Sequence, residues 1–179
     1  MKKVLICLVL ICAISVPAAF SQFRLELGVN APVAVGYVTG SGTDGDIAST
    51  IEESGIIPIP NLALLLQANL GLVKIGVGVK AQSVIVYSLA YPVAQLELAL
   101  GPLAIDASLG GYYFGYYAVG NVYGVEQMDI LLPDLSVWLG FGKKQTFRLG
   151  AGAIGAIPSS FDLSAVPFVA YAGLKIVLE

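Results

Sequence analysis

Alternation of apolar with polar or small side chains runs through most of this chain and constrains its fold more than any other feature. Residues 72–82 read Leu-Val-Lys-Ile-Gly-Val-Gly-Val-Lys-Ala-Gln, with apolar residues at every second position. A repeat of two residues is typical of a β-strand whose faces meet different surroundings. After residue 21, no uninterrupted apolar run reaches the roughly 18 residues that indicate a transmembrane helix. The pattern predicts an all-β fold.

Eight segments show this alternation with varying clarity. In the first of them, Phe23, Leu25 and Leu27 share one face and lie opposite Arg24 and Glu26. The predicted strands are 23–37, 61–69, 72–82, 93–100, 103–117, 130–141, 146–157 and 166–178.

The links between these segments alternate in length. The short links are 69–71, Gly101-Pro102 and 142–145, and they contain glycine or proline suited to tight turns. An even number of strands joined alternately by short and long links describes an antiparallel up-and-down barrel with both termini at the short-turn end. The longer links are expected at 40–58, 86–91, 118–129 and 158–165.

The composition indicates which side of this barrel faces solvent. Apolar residues make up 57% of the chain and charged residues 12%, whereas water-soluble domains carry about 25% charge. Such a sequence is too apolar for a disordered chain, and a pI near 4.8 argues against a nucleic-acid partner. Because the apolar face of the strands is too continuous for water, we expect it to face lipid.

The N-terminal segment has the layout of a secretory signal peptide. Two lysines precede the 13-residue apolar run 4–16, and Pro17 and Ala19-Phe20-Ser21 follow. This run is shorter than the roughly 20 residues of a membrane span. The sequence therefore predicts a cleaved signal peptide at 1–21 and a single barrel domain at 22–179.

Residue types limit the chemistry of the mature chain. Both cysteines, Cys7 and Cys12, lie in the predicted signal peptide, and the chain has no histidine. Thiol catalysis, a Ser-His-Asp triad and histidine metal sites are thereby excluded. Glu97 facing Asp106 could form an acid/base pair, but nearby lysine favours a structural ion pair. We predict no enzymatic activity, no catalytic or metal site and no cofactor.

The chain resembles the small eight-stranded outer-membrane barrels of the OmpA/OmpX type. The resemblance covers the predicted mature chain, and residues 171–178, Tyr-Ala-Gly-Leu-Lys-Ile-Val-Leu, look like the assembly signal of such barrels. Many family members end in an aromatic residue, whereas this sequence ends Leu178-Glu179. The resemblance implies export to the outer membrane of a Gram-negative-type bacterium, with outer-membrane lipid and the barrel assembly machinery as partners.

Aromatic residues are predicted to form two girdles on the apolar face, as a barrel in a bilayer requires. At the short-turn end these are Phe23, Phe141 and Phe147. Near the long-loop end they are Tyr37, Tyr113, Tyr117 and Phe168.

Charged residues on the opposite face are expected to fill the lumen, since an eight-stranded barrel has an interior just wide enough for side chains. The Gly101-Pro102 turn places Glu97 opposite Asp106 on neighbouring strands. The charged residues on this face are Arg24, Lys74, Lys80, Arg148, Lys175, Glu26, Glu97, Asp106 and Asp134. We predict two clusters of them, Lys80–Glu97–Asp106 and Arg24–Glu26–Arg148–Lys175.

The predicted long loops carry only acidic charge. One interpretation is a solvated surface; the other is that the acids gather divalent cations at the barrel mouth or bridge through them to the lipid surface. The acids are Asp44, Asp46, Glu52, Glu53, Glu126, Asp129 and Asp162, the first four being the candidate cation-attracting loop.

Three functional classes follow from the sequence. The first is an integral barrel with a structural or surface-interaction role, and the second is a narrow, porin-like path for small solutes. The third is a soluble periplasmic barrel that binds a lipid or another apolar ligand. Lumen charges that plug the barrel favour the first class over the second.

Overall fold

The computed structural model describes residues 21–37, 57–84, 87–119, 122–158 and 166–179. The predicted signal peptide therefore lies almost wholly outside the described residues, as do Asp44, Asp46, Glu52, Glu53 and Asp162. Within the described ranges, no helix has the length and apolarity to cross a membrane.

The described residues form antiparallel strands. They are β1 (Ser21–Tyr37), β2 (Ile59–Leu70), β3 (Val73–Val84), β4 (Tyr87–Leu100), β5 (Leu103–Val119), β6 (Val122–Phe141), β7 (Phe147–Gly155), β8 (Ile157–Pro158) and β9 (Pro167–Leu178).

Strands β1 to β7 pair in chain order, β9 pairs with β7, and β1 pairs with β9 to close the sheet. Strands β7 and β8 both pair with β6 and are separated only by Ala156, so they form one barrel strand. The result is a closed barrel of eight strands in up-and-down order. This confirms the fold class predicted from the sequence.

Three tight turns define one end of the barrel, called here the short-turn end. They are centred at residues 71–72, 101–102 and 142–145. Gly71, Gly101 and Gly142 have positive φ angles of 86°, 67° and 80°, a conformation that glycine adopts without steric cost. The predicted short links are therefore confirmed. The other end is called the long-loop end.

Two of the predicted long links are wrong. Strand β4 begins at Tyr87, and β5 and β6 pair as far as Val119 and Val122. Residues 87–91 and most of 118–129 are thus strand. Their tyrosines and valines have high strand propensity, but the simple alternation of faces is broken near them, so the sequence pattern did not reveal it.

An irregularity in β5 reverses which residues face outward. The pairing of β5 with β6 shifts between Gly111 and Tyr113, and Tyr112 between them has a φ of 54°. Beyond this bulge Tyr113 packs against a buried apolar cluster, while Phe114 is 55% exposed. The prediction that Tyr113 belongs to the outer girdle is wrong, because β5 has one more residue here than the facing stretch of β4, and this moves the following side chains to the opposite face.

Strand β1 has a similar irregularity. Its pairing with β9 shifts between Pro32 and Ala34, and Val33 and Ala34 are both exposed. Val35, predicted on the outer face, pairs with Val169 and takes the inward register. The bulge reverses the alternation here as well.

The outward face is apolar over the rest of the barrel. Phe23, Phe141 and Phe147 are exposed at the short-turn end, which confirms the predicted girdle there. The ring of Phe168 lies against Gly36 of the neighbouring strand, and the side chains of Tyr37 and Tyr117 are outside the described ones. Aliphatic residues exposed between the two ends include Leu62, Leu64, Leu66, Ile75, Val79, Leu96, Leu135, Val137, Leu139, Leu149, Leu174 and Ile176.

Candidate functional site

The lumen collects the charged side chains of the barrel. Arg24 and Glu97 are each 1% exposed, whereas Phe23, next to Arg24 in sequence, is 74% exposed. Successive side chains of a strand point to opposite faces, so the period-two pattern separates apolar residues outside from charged residues inside. This arrangement is the reverse of a water-soluble domain.

Glu97 of β4 is the centre of a cluster near the short-turn end. Its Oε2 lies 2.5 Å from Arg24 Nη2 and 2.7 Å from Arg148 Nη1. Its Oε1 lies 3.6 Å from Lys74 Nζ. One buried carboxylate thus contacts cations from three strands, β1, β3 and β7, and holds them together across the lumen.

Lys175 of β9 occupies the middle of the lumen. Its Nζ donates to Glu26 Oε2 at 3.0 Å and to Asp106 Oδ2 at 2.6 Å. The same Nζ lies 4.5 Å from the centroid of the Trp138 ring, within the range of a cation–π contact. Glu26 also contacts Arg24, with Oε1 at 2.5 Å from Nη2. These contacts connect the middle of the lumen to the Glu97 cluster.

Asp134 of β6 organises a third group, closer to the long-loop end. Lys80 Nζ lies 2.9 Å from Asp134 Oδ2, and the Tyr171 hydroxyl donates to Asp134 Oδ1 at 2.7 Å. Ser136, two residues along β6, accepts a 2.8 Å hydrogen bond from Trp138 Nε1. Charged and neutral groups therefore share one polar network.

Glu179 supplies an acid that was not predicted to reach the lumen. Its Oε1 lies 2.6 Å from Lys74 Nζ and 3.3 Å from Arg24 Nη1. With Glu179 the network holds five cations and five carboxylates among the described residues. The predicted near-balance of four acids against five bases thus omitted one acid.

The charges group differently from the two predicted clusters. Lys80 pairs with Asp134 rather than with Glu97 or Asp106. Glu97 lies opposite Asp106, as predicted, but its ionic partners are Arg24, Arg148 and Lys74.

Part of the second predicted cluster is present, since Arg24 and Lys175 both contact Glu26. Arg148 instead joins Glu97, and Lys175 also binds Asp106. The predicted division is wrong because it assumed partners on adjacent strands, whereas tilted strands bring distant strands together across a narrow lumen.

Several lumen residues were missed as site residues. Trp138 is buried. Its position between the outward-facing Val137 and Leu139 is a sequence signal for an inward side chain. Gln67 accepts a 2.9 Å hydrogen bond from Arg24. An apolar cluster also lies on the inward face, formed by Ala63, Leu65, Tyr91 and Val93 with Leu89, Tyr113 and Leu132 packed against it.

The polar part of the lumen leaves little free space. A cavity of about 20 Å³ lies among residues that include Glu26, Lys80, Asp106 and Lys175. This is the space of about one water molecule. Within the described ranges, no group of three or more acids, histidines or cysteines is placed to hold a metal ion.

The acids of the predicted long loops lie mostly outside the described residues. The exceptions are Asp129, which is exposed, and the backbone of Glu126. The cation-gathering role stays a prediction. Replacing all four acids at 44, 46, 52 and 53 with their amides is expected to abolish any divalent-dependent change in surface binding. An unchanged response would contradict the prediction.

Comparisons with known proteins concern the fold alone. No protein-family model matches this sequence, and no curated protein matches it. The chain is similar to the crystal structure of the N-terminal β-barrel domain of Pseudomonas aeruginosa OprF, with 13% identity, a TM-score of 0.47, and coverage of 88% of this chain and 99% of that one.

Two further solved structures are similar. Neisserial surface protein A has 9% identity and a TM-score of 0.47, with 87% of this chain and 97% of that chain covered. Ail, the attachment invasion locus protein of Yersinia pestis, has 8% identity and a TM-score of 0.41, with 89% and 99% covered. The assignment of the barrel itself rests on this chain's own strand pairing.

Proposed function

We propose that the chain is an integral outer-membrane barrel with a non-enzymatic structural or surface-interaction role and a lumen closed to solutes. The observation that carries the proposal is its inverted polarity: leucine, valine and phenylalanine cover the outside while ten paired charges fill the inside. A closed barrel satisfies every backbone group without a free edge, which is the condition for a strand protein in lipid.

The filled lumen argues against the two other classes. A ligand-binding barrel needs an internal cavity of roughly 300 Å³ or more, whereas the cavity within the polar network is about 20 Å³. Two larger cavities, of about 570 and 670 Å³, are open and lined largely by apolar residues of the outward face such as Leu62, Phe114 and Leu135. A permeation path would have to separate charge pairs such as Arg148–Glu97, whose atoms are 2.7 Å apart. Separating a buried pair leaves uncompensated charge in a low-dielectric interior.

The role assigned to the lumen charges is therefore structural. They join strands across the barrel and exclude water and solutes from the interior. Contact with the envelope or with other surfaces then belongs to the loops at the long-loop end. In the same proposal, residues 1–21 direct export, and the alternating segment Tyr171–Leu178 is presented to the barrel assembly machinery.

The first test is membrane fractionation followed by electrophoresis with and without boiling. The folded barrel is expected to remain with the membrane after salt washing, to require detergent for extraction, and to change mobility on heating. The variant Val137→Lys is compared with the native chain in the same assay. It places a charge on the outward face and is expected to reduce membrane insertion, because a lysine facing lipid near the bilayer midplane costs about 2–4 kcal/mol.

Conductance separates the closed barrel from the permeation class. Purified protein in planar bilayers is expected to give no steady solute-sized conductance. Release of the native chain by salt alone would overturn the membrane assignment and restore the soluble lipid-binding class. A stable conductance altered by Glu97→Gln would support the permeation class.

A further inference from the structure

The cations of this chain are divided sharply between two places. Five of the Lys and Arg residues after residue 21 lie in the lumen, each in contact with a carboxylate. The other two, Lys143 and Lys144, are adjacent and exposed in the turn between β6 and β7. Within the described ranges, neither of them has an acidic partner. They are the cations available to an external ligand.

The turn that carries them is held in a defined conformation. Gln145 has a φ of 50°, and its backbone N–H donates to the Gly142 carbonyl at 3.1 Å. Arg148 Nε donates to the Gln145 carbonyl at 3.3 Å. Gln145 is half-buried while both lysines point to solvent. Arg148 of the lumen network therefore holds the turn at Gln145, while the two lysines before it are exposed.

An aromatic pair lies immediately inside this turn. Phe141 and Phe147 are directly opposite each other, with ring centroids 6.0 Å apart, on the outward apolar face. Aromatic rings on the outside of a membrane barrel mark the depth of the interface between hydrocarbon and headgroups. Because the lysines follow the first ring by two and three residues, their ammonium groups reach the depth of the lipid phosphates.

The rest of the short-turn end suits the same surroundings. Leu70 and Leu72 flank the Gly71 turn and are 60% and 62% exposed. Exposed leucines at a turn tip indicate immersion in the interface. The acid at this end, Glu179, is engaged by Lys74 and Arg24. The surface charge presented here is thus positive, whereas Asp129 is exposed toward the long-loop end.

From these observations we propose that the Lys143–Lys144 turn, together with Phe141 and Phe147, binds the phosphate headgroup of an anionic phospholipid in the leaflet at the short-turn end. The lysines supply the ionic contacts, and the rings lie beside the first carbons of the acyl chains. This inference rests on the proposed membrane function and names the lipid class that this end of the barrel selects.

The test measures lipid preference on the full chain folded in detergent micelles. Phosphatidylglycerol and phosphatidylcholine with the same acyl chains are added separately, and bound lipid is counted by native mass spectrometry. The wild type is expected to prefer phosphatidylglycerol on the order of tenfold, with the preference falling at high salt. The double variant K143Q/K144Q is expected to bind both lipids equally, and K143R/K144R to retain the preference.

Two controls separate this inference from the proposed function. Asp129→Asn at the other end is expected to leave the lipid preference unchanged, and every variant is expected to keep its heat-dependent mobility. A folded wild type without preference for phosphatidylglycerol, or K143Q/K144Q with full preference, would overturn the headgroup site alone. A chain with no heat-dependent mobility in micelles or membranes would overturn the barrel function on which the inference rests.

Discussion

The lumen is packed differently in the two halves of the barrel. Near the short-turn end the β2–β3 and β6–β7 ladders are regular and the lumen is filled by ion pairs around Glu97. Toward the long-loop end the pairing shifts at two places, near Val33 in β1 and near Tyr112 in β5, and side chains such as Tyr91 and Tyr113 pack in an apolar cluster in the lumen. Alternation along a strand therefore predicts which face a side chain occupies only where the ladder of paired residues is unbroken.

Regular geometry and ionic packing support each other at the short-turn end. A buried charge is stabilised only when its partner is placed well, and a regular ladder places it reproducibly. An apolar cluster tolerates shifts more readily because its contacts are not directional. The irregularity around Tyr112 accordingly lies beside the apolar cluster that contains Tyr91 and Tyr113.

The sharpest test of this comparison is the reversal of facing at Tyr112. Single cysteines are introduced at Leu109, Tyr113 and Phe114, since the chain has no cysteine of its own after residue 21. A maleimide confined to the bilayer is expected to label positions 109 and 114 rapidly and position 113 at least several-fold more slowly. Rapid labelling at 113 with protection at 114 would mean that the alternation continues unbroken.

Among substitutions in the lumen near the short-turn end, Glu97→Gln is expected to destabilise the barrel most. This change leaves Arg24 and Arg148 short of a carboxylate in a buried site and is expected to cost about 3–5 kcal/mol. Urea unfolding of the barrel in vesicles measures it. Asp106→Asn is the comparison, because Lys175 keeps Glu26 as a partner. A smaller loss for Glu97→Gln than for Asp106→Asn would contradict the central role of Glu97.

Close approach of two strands gives a further test within the regular ladder. A Cβ at Gly78 would overlap the backbone of Leu64, whereas one at Gly76 would lie 3.6 Å from Leu65 Cβ, an ordinary contact. Gly78→Ala is therefore expected to destabilise the barrel by about 1–3 kcal/mol. Gly76→Ala, on the same strand and face, is the matched control with little effect in the same unfolding assay. Equal effects would refute the steric explanation.

The smallest effect is expected at the partly exposed edge of the ionic network. Glu179 is less buried than Glu97, with a side-chain exposure of 27%. Removing its charge with Glu179→Gln is expected to cost no more than about 1 kcal/mol, as for other solvent-accessible ion pairs. The unfolding midpoint in vesicles measures this. A loss equal to that of Glu97→Gln would contradict the ranking of these ion pairs by exposure.

Sequence alone predicts the barrel because its determinants are local. The alternation of Val73, Ile75 and Val77 with Lys74 and Gly76 defines the faces of β3, and glycines mark the tight turns. The charged residues assigned to the inward face are buried or half-buried there. These features require knowledge of neighbouring residues only.

The partners of those charges could not be predicted in the same way. The pairing of Arg148 with Glu97 joins β7 to β4, and it depends on the tilt and stagger of the whole barrel. The bulge at Tyr112 had one signal, the preceding Gly110-Gly111, since glycine within a strand often marks a bulge. The paired tyrosines that follow occupy both faces and conceal the change.

The convergence of three cations on Glu97 also limits how this sequence can evolve. An outward leucine such as Leu135 or Leu139 can be exchanged for another apolar residue independently, because lipid adapts to its shape. Exchange of Glu97 would require compensating changes on three other strands at once. Related chains should therefore drift freely on their outer surface while their lumen residues change together or not at all.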